Sequence, residues 1–224
     1  MKDTTRVTLF TGHFGSGKTE LAINYSIKLS KQGHKVTLVD LDIVNPFFRS
    51  NEAKDILNAH GIKVLAPNFA DTTLDIPSLP PDIYGVFCDE SSKVVFDVGG
   101  DEVGATVLGR FYPQFREEPY TMFYVINTLR PLSSNKDDIV DMLMAVQKHS
   151  RLNVSYLINN SNLSYETDIN HILDGQCIVE DVSRETNIPI AFVSARKDLL
   201  GKLPDMHRTG IFSLDKLYMQ PPWI

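Results

Sequence analysis

The sequence predicts an α/β fold, a mainly parallel sheet with helices on both faces, and two observations carry that expectation. Short runs of continuous apolar residues alternate with stretches whose apolar residues recur at helical spacing. Strands that are apolar throughout, rather than at every second residue, are buried on both faces and belong to a parallel sheet covered by helices. The second observation is the stretch Gly12-His13-Phe14-Gly15-Ser16-Gly17-Lys18-Thr19, which fits the phosphate-loop pattern G-x-x-x-x-G-K-[ST] at every fixed position.

Each element is justified in turn. Arg6 to Thr11 is a β-rich apolar run ahead of the loop, and Glu20 to Leu29 is a helix ended by Gly33. Lys35 to Asp40 reads as a second buried strand. A helix beginning near Pro46 runs through Leu57 towards Gly61, and Ile62 to Leu65 is a short strand. Prolines and aspartates from Ala66 to Pro81 imply a long loop. Val94 to Val98, Tyr120 to Asn127, Val154 to Asn159 and Pro189 to Val193 are strands. Helices are expected from about Asn135 to Lys148 and from about Gln176 to Thr186, and one short helix in the tail from Leu203.

The 224 residues, 42% of them apolar, suit a single phosphate-loop nucleotide-binding domain over 1–224. A formal charge of -6 gives no general attraction to nucleic acid. The opening residues lack a signal-peptide core and no apolar run is long enough for a membrane span, so a cytoplasmic protein without a membrane segment is expected. Cys88 and Cys177 stand far apart, in no metal-ligand spacing, and read as buried thiols.

Strand, glycine loop and helix together make an anion site. Glycines let successive N–H groups turn towards phosphate oxygens, and the helix N-terminus adds partial positive charge. Lys18 is expected on the β- and γ-phosphates and Thr19 on Mg²⁺. Asp40, Asp42 and Asp97 close or follow buried strands, where a carboxylate can hold Mg²⁺ or position an attacking water. Asp97 and Asp40 are read as metal acids and Asp42 as the residue that activates water. Gly99 and Gly100 would let the backbone move towards a γ-phosphate. Asn159 and Asn160 offer both donor and acceptor to a purine edge, or else satisfy their own turn. Asn135-Lys136-Asp137-Asp138 spells a guanine-reading motif, but it opens a helix and reads as a cap. Asp101, Asp71, Asp75 and Asp82 read as caps or turns, and Asp168, His171 and Asp174 as a solvated helix face.

With the phosphate loop, Asp40-x-Asp42 and Asp97-x-Gly99-Gly100 in this order and spacing, the chain resembles the MinD/ParA/nitrogenase-iron-protein class of phosphate-loop ATPases, the SIMIBI or deviant Walker A group, over roughly residues 5 to 200. The resemblance implies a three-layer phosphate-loop NTPase fold, binding of ATP and Mg²⁺, and slow hydrolysis. It also implies a nucleotide-dependent homodimer and a partner protein that reads the nucleotide state. It assigns Gly12, His13, Phe14, Gly15, Ser16, Gly17, Lys18, Thr19, Glu20, Asn159 and Asn160 to the nucleotide, and Lys18 and Asp42 to catalysis. Thr19, Asp40 and Asp97 go to the metal. It further implies that the loop after Val193 helps to hold adenine. The class signature has a second lysine where this chain has His13, and Arg49 is the first candidate for the missing charge. The alternatives are an ATP-dependent small-molecule kinase or ligase, a GTP-dependent metallochaperone-like protein, and an ATP sensor that does not turn over.

Overall fold

The structure, a computed structural model, describes residues 5–42, 51–66, 81–203 and 210–219. Eight strands form one sheet: β1 (Val7–Thr11), β2 (Val36–Leu41), β3 (Lys63–Leu65), β4 (Lys93–Val98), β5 (Tyr120–Ile126), β6 (Tyr156–Asn159), β7 (Ile190–Arg196) and β8 (Gly210–Leu214). Their order is β3-β2-β4-β1-β5-β6-β7-β8, and every neighbouring pair is parallel. The helices are α1 (Lys18–Lys31), α2 (Asn51–Ala59), α3 (Pro81–Gly85), α4 (Glu102–Leu108), α5 (Tyr112–Glu117), α6 (Lys136–Ser150) and α7 (Ile169–Thr186).

The continuous apolar strands are buried on both faces, as a covered parallel sheet requires: all five residues of β1 and all six of β2 are buried. Alternate residues feed two separate cores. Val7, Leu9, Val39, Phe96 and Tyr124 pack with α4, α5, α6 and α7 through Leu108, Phe115, Leu143 and Val179. Phe10, Leu38, Val95, Val125 and Phe192 pack on the opposite face with Leu21, Tyr25 and Leu57 of α1 and α2. The three-layer α/β expectation is met.

Gly33 ends α1 as expected, at φ 88°, with the His34 N–H bonded back to the Leu29 carbonyl. Two expectations need correction. The last helix begins at Ile169, seven residues before Gln176, because Asp168 caps it and Gly175 lies within it, facing Ser161 and Thr128 in the helix packing. The tail supplies strand β8 where a helix was expected: β7 continues to Arg196 and offers a free edge, and Phe212 stacks on Phe192 at 5.2 Å. The short helices α3, α4 and α5 carry too few turns for a periodic signal. Most of the loop expected over 66–81, with Asp71 and Asp75, lies outside the described residues, as do Pro46 and Arg49.

Candidate functional site: a phosphate loop and its strand acids

From β1 the chain moves outward one way to β2 and β3 and later the other way to β5 through β8. The crevice beyond the carboxyl end of β1 is therefore where the connections diverge, the ligand position in open α/β sheets. Gly12 to Gly17 fill it. Gly17, the residue before α1, sits at φ 86°, and a Cβ there would fall 2.3 Å from Asn160 Nδ2, so only glycine fits. The first intrahelical bond runs from Leu21 N to Gly17 O, which leaves the N–H groups of Lys18, Thr19 and Glu20 outside the helical ladder.

The acids converge on this loop. Asp40 and Asp97 occupy paired positions on neighbouring strands β2 and β4. Thr19 Oγ1 donates to Asp97 Oδ2 at 2.6 Å, and the Lys18 ammonium lies 3.9 Å from Asp42 Oδ2. Asp40 Oδ1 accepts the Asp42 N–H at 2.9 Å and so shapes the turn that carries Asp42. Asp97 is wholly buried, and among the described residues its Oδ1 has no hydrogen-bond partner. Burial raises its pKa to about 7; Lys18 and the Thr19 bond pull it down, and the nearby Asp42 charge pushes it up. Gly100 lies against the loop: a Cβ there would come within 1.8 Å of the Gly12 carbonyl oxygen. The segment after β4 and the phosphate loop thus share a backbone contact. Asp101 next caps α4 through the Gly104 N–H at 2.8 Å, as expected.

These residues fit a magnesium–nucleotide. Thr11 Oγ1 and Ser16 Oγ, at the two ends of the loop, join Asp97 Oδ1 as buried oxygens without a hydrogen-bond partner among the described residues. Among the described residues no group of three His, Cys, Asp or Glu could hold a metal alone. Thr19 and the strand acids would therefore hold Mg²⁺ together with phosphate and water oxygens, the usual coordination of that ion.

The asparagines face inward. Asn159 is wholly buried, donates to Ile172 O and Gln176 Oε1, each at 3.1 Å, and accepts the Ser161 N–H, so its amide serves the turn. Asn160 Nδ2 donates to the Ser16 carbonyl at 2.6 Å and its Oδ1 accepts from the Ser194 hydroxyl. It braces the phosphate loop from the neighbouring strand end. Beside it a pocket opens between the ends of β6 and β7 and the segment after β8, walled by Asn160, Ser194, Arg196, Leu214 and Leu217. Sequence reading missed Leu214 and Leu217, which reach this wall only because β8 pairs with β7. It also missed Arg130, whose Nε donates to the Gly15 carbonyl at 3.1 Å from the loop after β5.

His13 is half-buried, its Nδ1 2.9 Å from the Phe14 carbonyl, while the Phe14 ring is exposed. The Glu20 side chain is turned away towards the C-terminal segment. Burial raises its pKa, against hydrogen bonds from Tyr218, Met219 and Asn24 that lower it. Asn135 caps α6 by accepting the Asp138 N–H at 2.9 Å, and Lys136 pairs with Glu185 and Asp137, so the guanine-like motif is spent on the helix end. Asp168 and His171 form a capping box. The cysteines depart from expectation: Cys88 and Cys177 are both exposed, Cys88 after the short helix α3 and Cys177 on the outer side of α7.

Fold and site together define a phosphate-loop nucleotide-binding architecture. No family model and no curated protein matches the chain. Solved structures do match it. Cell division protein FtsY from Thermotoga maritima superposes with a TM-score of 0.59 at 16% identity over 87% of this chain and 63% of that one, so this chain spans less than two thirds of FtsY. FlhF complexed with GTP/Mg²⁺ gives 0.52 at 14% identity over 85% and 66%. A nucleotide-binding protein from Archaeoglobus fulgidus in complex with ADP gives 0.52 at 18% identity over 98% and 90%. The chain shares the α/β fold of these proteins. Among the described residues no helix is long and apolar enough to cross a membrane.

Proposed function

We propose that the protein is a cytoplasmic Mg-ATP-dependent switch ATPase of the MinD/ParA type, whose nucleotide state controls a partner protein. The observation that carries the reading is the convergence of Lys18–Asp42 and Thr19–Asp97 on one phosphate loop. Bound Mg²⁺ would supply neutralising charge for the β- and γ-phosphates. Lys18 would exchange its Asp42 partner for phosphate, freeing that carboxylate to orient the attacking water. Thr19 and Asp97, with Asp40 on the adjoining strand, would hold the cation. The contact of Gly100 with Gly12 offers a route by which a γ-phosphate alters the segment after β4.

Adenine is favoured over guanine because Asn135, Lys136 and Asp138 are engaged at the helix cap, and we place the base beside Asn160 and Ser194 at the ends of β6 and β7. The likeness to FlhF, whose structure holds GTP/Mg²⁺, supports GTP as the alternative nucleotide. Phe14 within the loop and Leu132, two residues after the Arg130 that bonds Gly15, are exposed at 62% and 63% and suit an apolar contact with a second copy of the chain across the nucleotide. Calorimetric titration and turnover of wild type and Lys18→Ala test the reading. Wild type binds ATP with Mg²⁺ and hydrolyses it slowly, and Lys18→Ala loses both while keeping its fold. Unchanged affinity and turnover in the variant overturn it.

A further inference from the structure

Glu20 stands in the first turn of α1, where a carboxylate already complements the helix dipole. Its carboxylate also grips a distant piece of chain. The Tyr218 N–H reaches both oxygens, at 2.9 and 3.0 Å, and the Met219 N–H reaches Oε2 at 2.8 Å. Asn24, one turn on, donates to Glu20 Oε1 at 2.8 Å and to the Lys216 carbonyl at 3.1 Å. The held segment follows β8, and its Leu217, with Leu214 at the strand end, forms one wall of the pocket whose other side is Asn160 and Ser194. Backbone N–H groups of an irregular segment need an acceptor, and a buried carboxylate is a strong one.

We infer that Glu20 and Asn24 form a clamp that positions the C-terminal segment 214–219 against the strand ends at Asn160 and Ser194 where the base is placed, making Glu20 a positioning residue for the nucleoside. The inference rests on the nucleotide reading above. Thr19 and Glu20 are neighbours on one rigid helix turn, so the helix end that meets the phosphates also sets the position of the wall. A nucleotide would bridge the two. Loss of the clamp removes contacts to the base side and leaves the phosphate loop intact, since Gly12 to Gly17 are held by Asn160 and Arg130.

The test uses the full chain with Mg-ATP. Hydrogen exchange reports the amides of Tyr218 and Met219, calorimetry gives Kd, and steady-state kinetics separates KM from kcat. In Glu20→Ala both amides exchange freely and Kd and KM rise about tenfold with kcat within about twofold, the signature of lost uniform binding. Asn24→Ala, and Leu217→Ala, which alters the wall without touching the clamp, each weaken binding about threefold. If Glu20→Ala frees the amides while Kd, KM and kcat stay at wild-type values, the clamp does not position the nucleoside. If kcat falls as far as KM rises, Glu20 supports the phosphate loop instead, and the inference also falls. Both outcomes differ from failure of the nucleotide reading, in which wild type binds no nucleotide or Lys18→Ala binds it equally well.

Discussion

Thr19 Oγ1 and Asp97 Oδ2 are joined by a 2.6 Å hydrogen bond that ties the first turn of α1 to the end of β4. The bond satisfies one carboxylate oxygen and leaves the other buried and, among the described residues, unbonded. This is a poor environment for a lone anion and a good one for an anion that meets a cation.

A pH dependence follows for the nucleotide-free protein in EDTA. The Asp97 pKa is raised to about 7 in the fold, against an unfolded value of about 3.9. Between those values the folded state keeps a proton that the unfolded chain has lost, so this group's contribution to stability falls as pH rises through the window. Asp97→Asn removes that slope and raises the melting midpoint at pH 7.5 by roughly 5 °C, a change expected of a modest stability gain. The same substitution weakens Mg-ATP binding. Thermal melts from pH 5 to 8 check it; an unchanged slope would mean that burial of this carboxyl costs nothing.

Asn160 offers a different kind of prediction, because its amide spans the phosphate loop and the β7 end. Asn160→Ala removes the bond to the Ser16 carbonyl and leaves the Ser194 hydroxyl with only the Asn159 carbonyl, costing about 1–3 kcal/mol of stability. ATP affinity falls with it. Asn160→Asp is the harsher change, since a carboxylate placed against a carbonyl oxygen repels it. Urea denaturation and titration calorimetry measure both effects. An alanine variant with wild-type affinity would show that the loop keeps its shape unaided.

The α6 cap predicts a separation of stability from specificity. Asp138→Ala and Asn135→Ala loosen the helix end, Asn135→Ala by about 1 kcal/mol, and leave the ratio of ATP to GTP affinity unchanged. Titration with both nucleotides reads the ratio. A preference for GTP that disappears in Asp138→Ala would restore the guanine-reading role to this motif.

Much of this was legible in the residues themselves. Gly12 to Thr19 name a phosphate loop because few other uses require that glycine spacing between an apolar strand and an amphipathic helix. Asp97 and Asp40 were found because a carboxylate at the end of a buried strand conflicts with its surroundings. Asn159 and Asn160 show the limit of that approach. Adjacent in sequence and equal in chemistry, they differ only in what the fold puts beside them: Gln176 of α7 for one, Ser16 of the phosphate loop for the other. The cysteines were misread for a similar reason, since a small apolar side chain carries no local sign of which helix face it will occupy.

By itself the sequence determined the sheet, its covered faces and the phosphate loop, because apolar continuity, helical spacing and glycine placement act over a few residues and need no distant partner. Only the tertiary structure decided how Glu20 is used, which strand end supplies the brace at Asn160, and that the tail pairs with β7. The first two rest on hydrogen bonds across 198 and 144 chain positions, and the third on pairing such as Phe192 with Gly210, across two separate elements. A side chain's local chemistry says that it needs a partner. Which partner it finds is settled by strand order, and strand order is a property of the whole sheet.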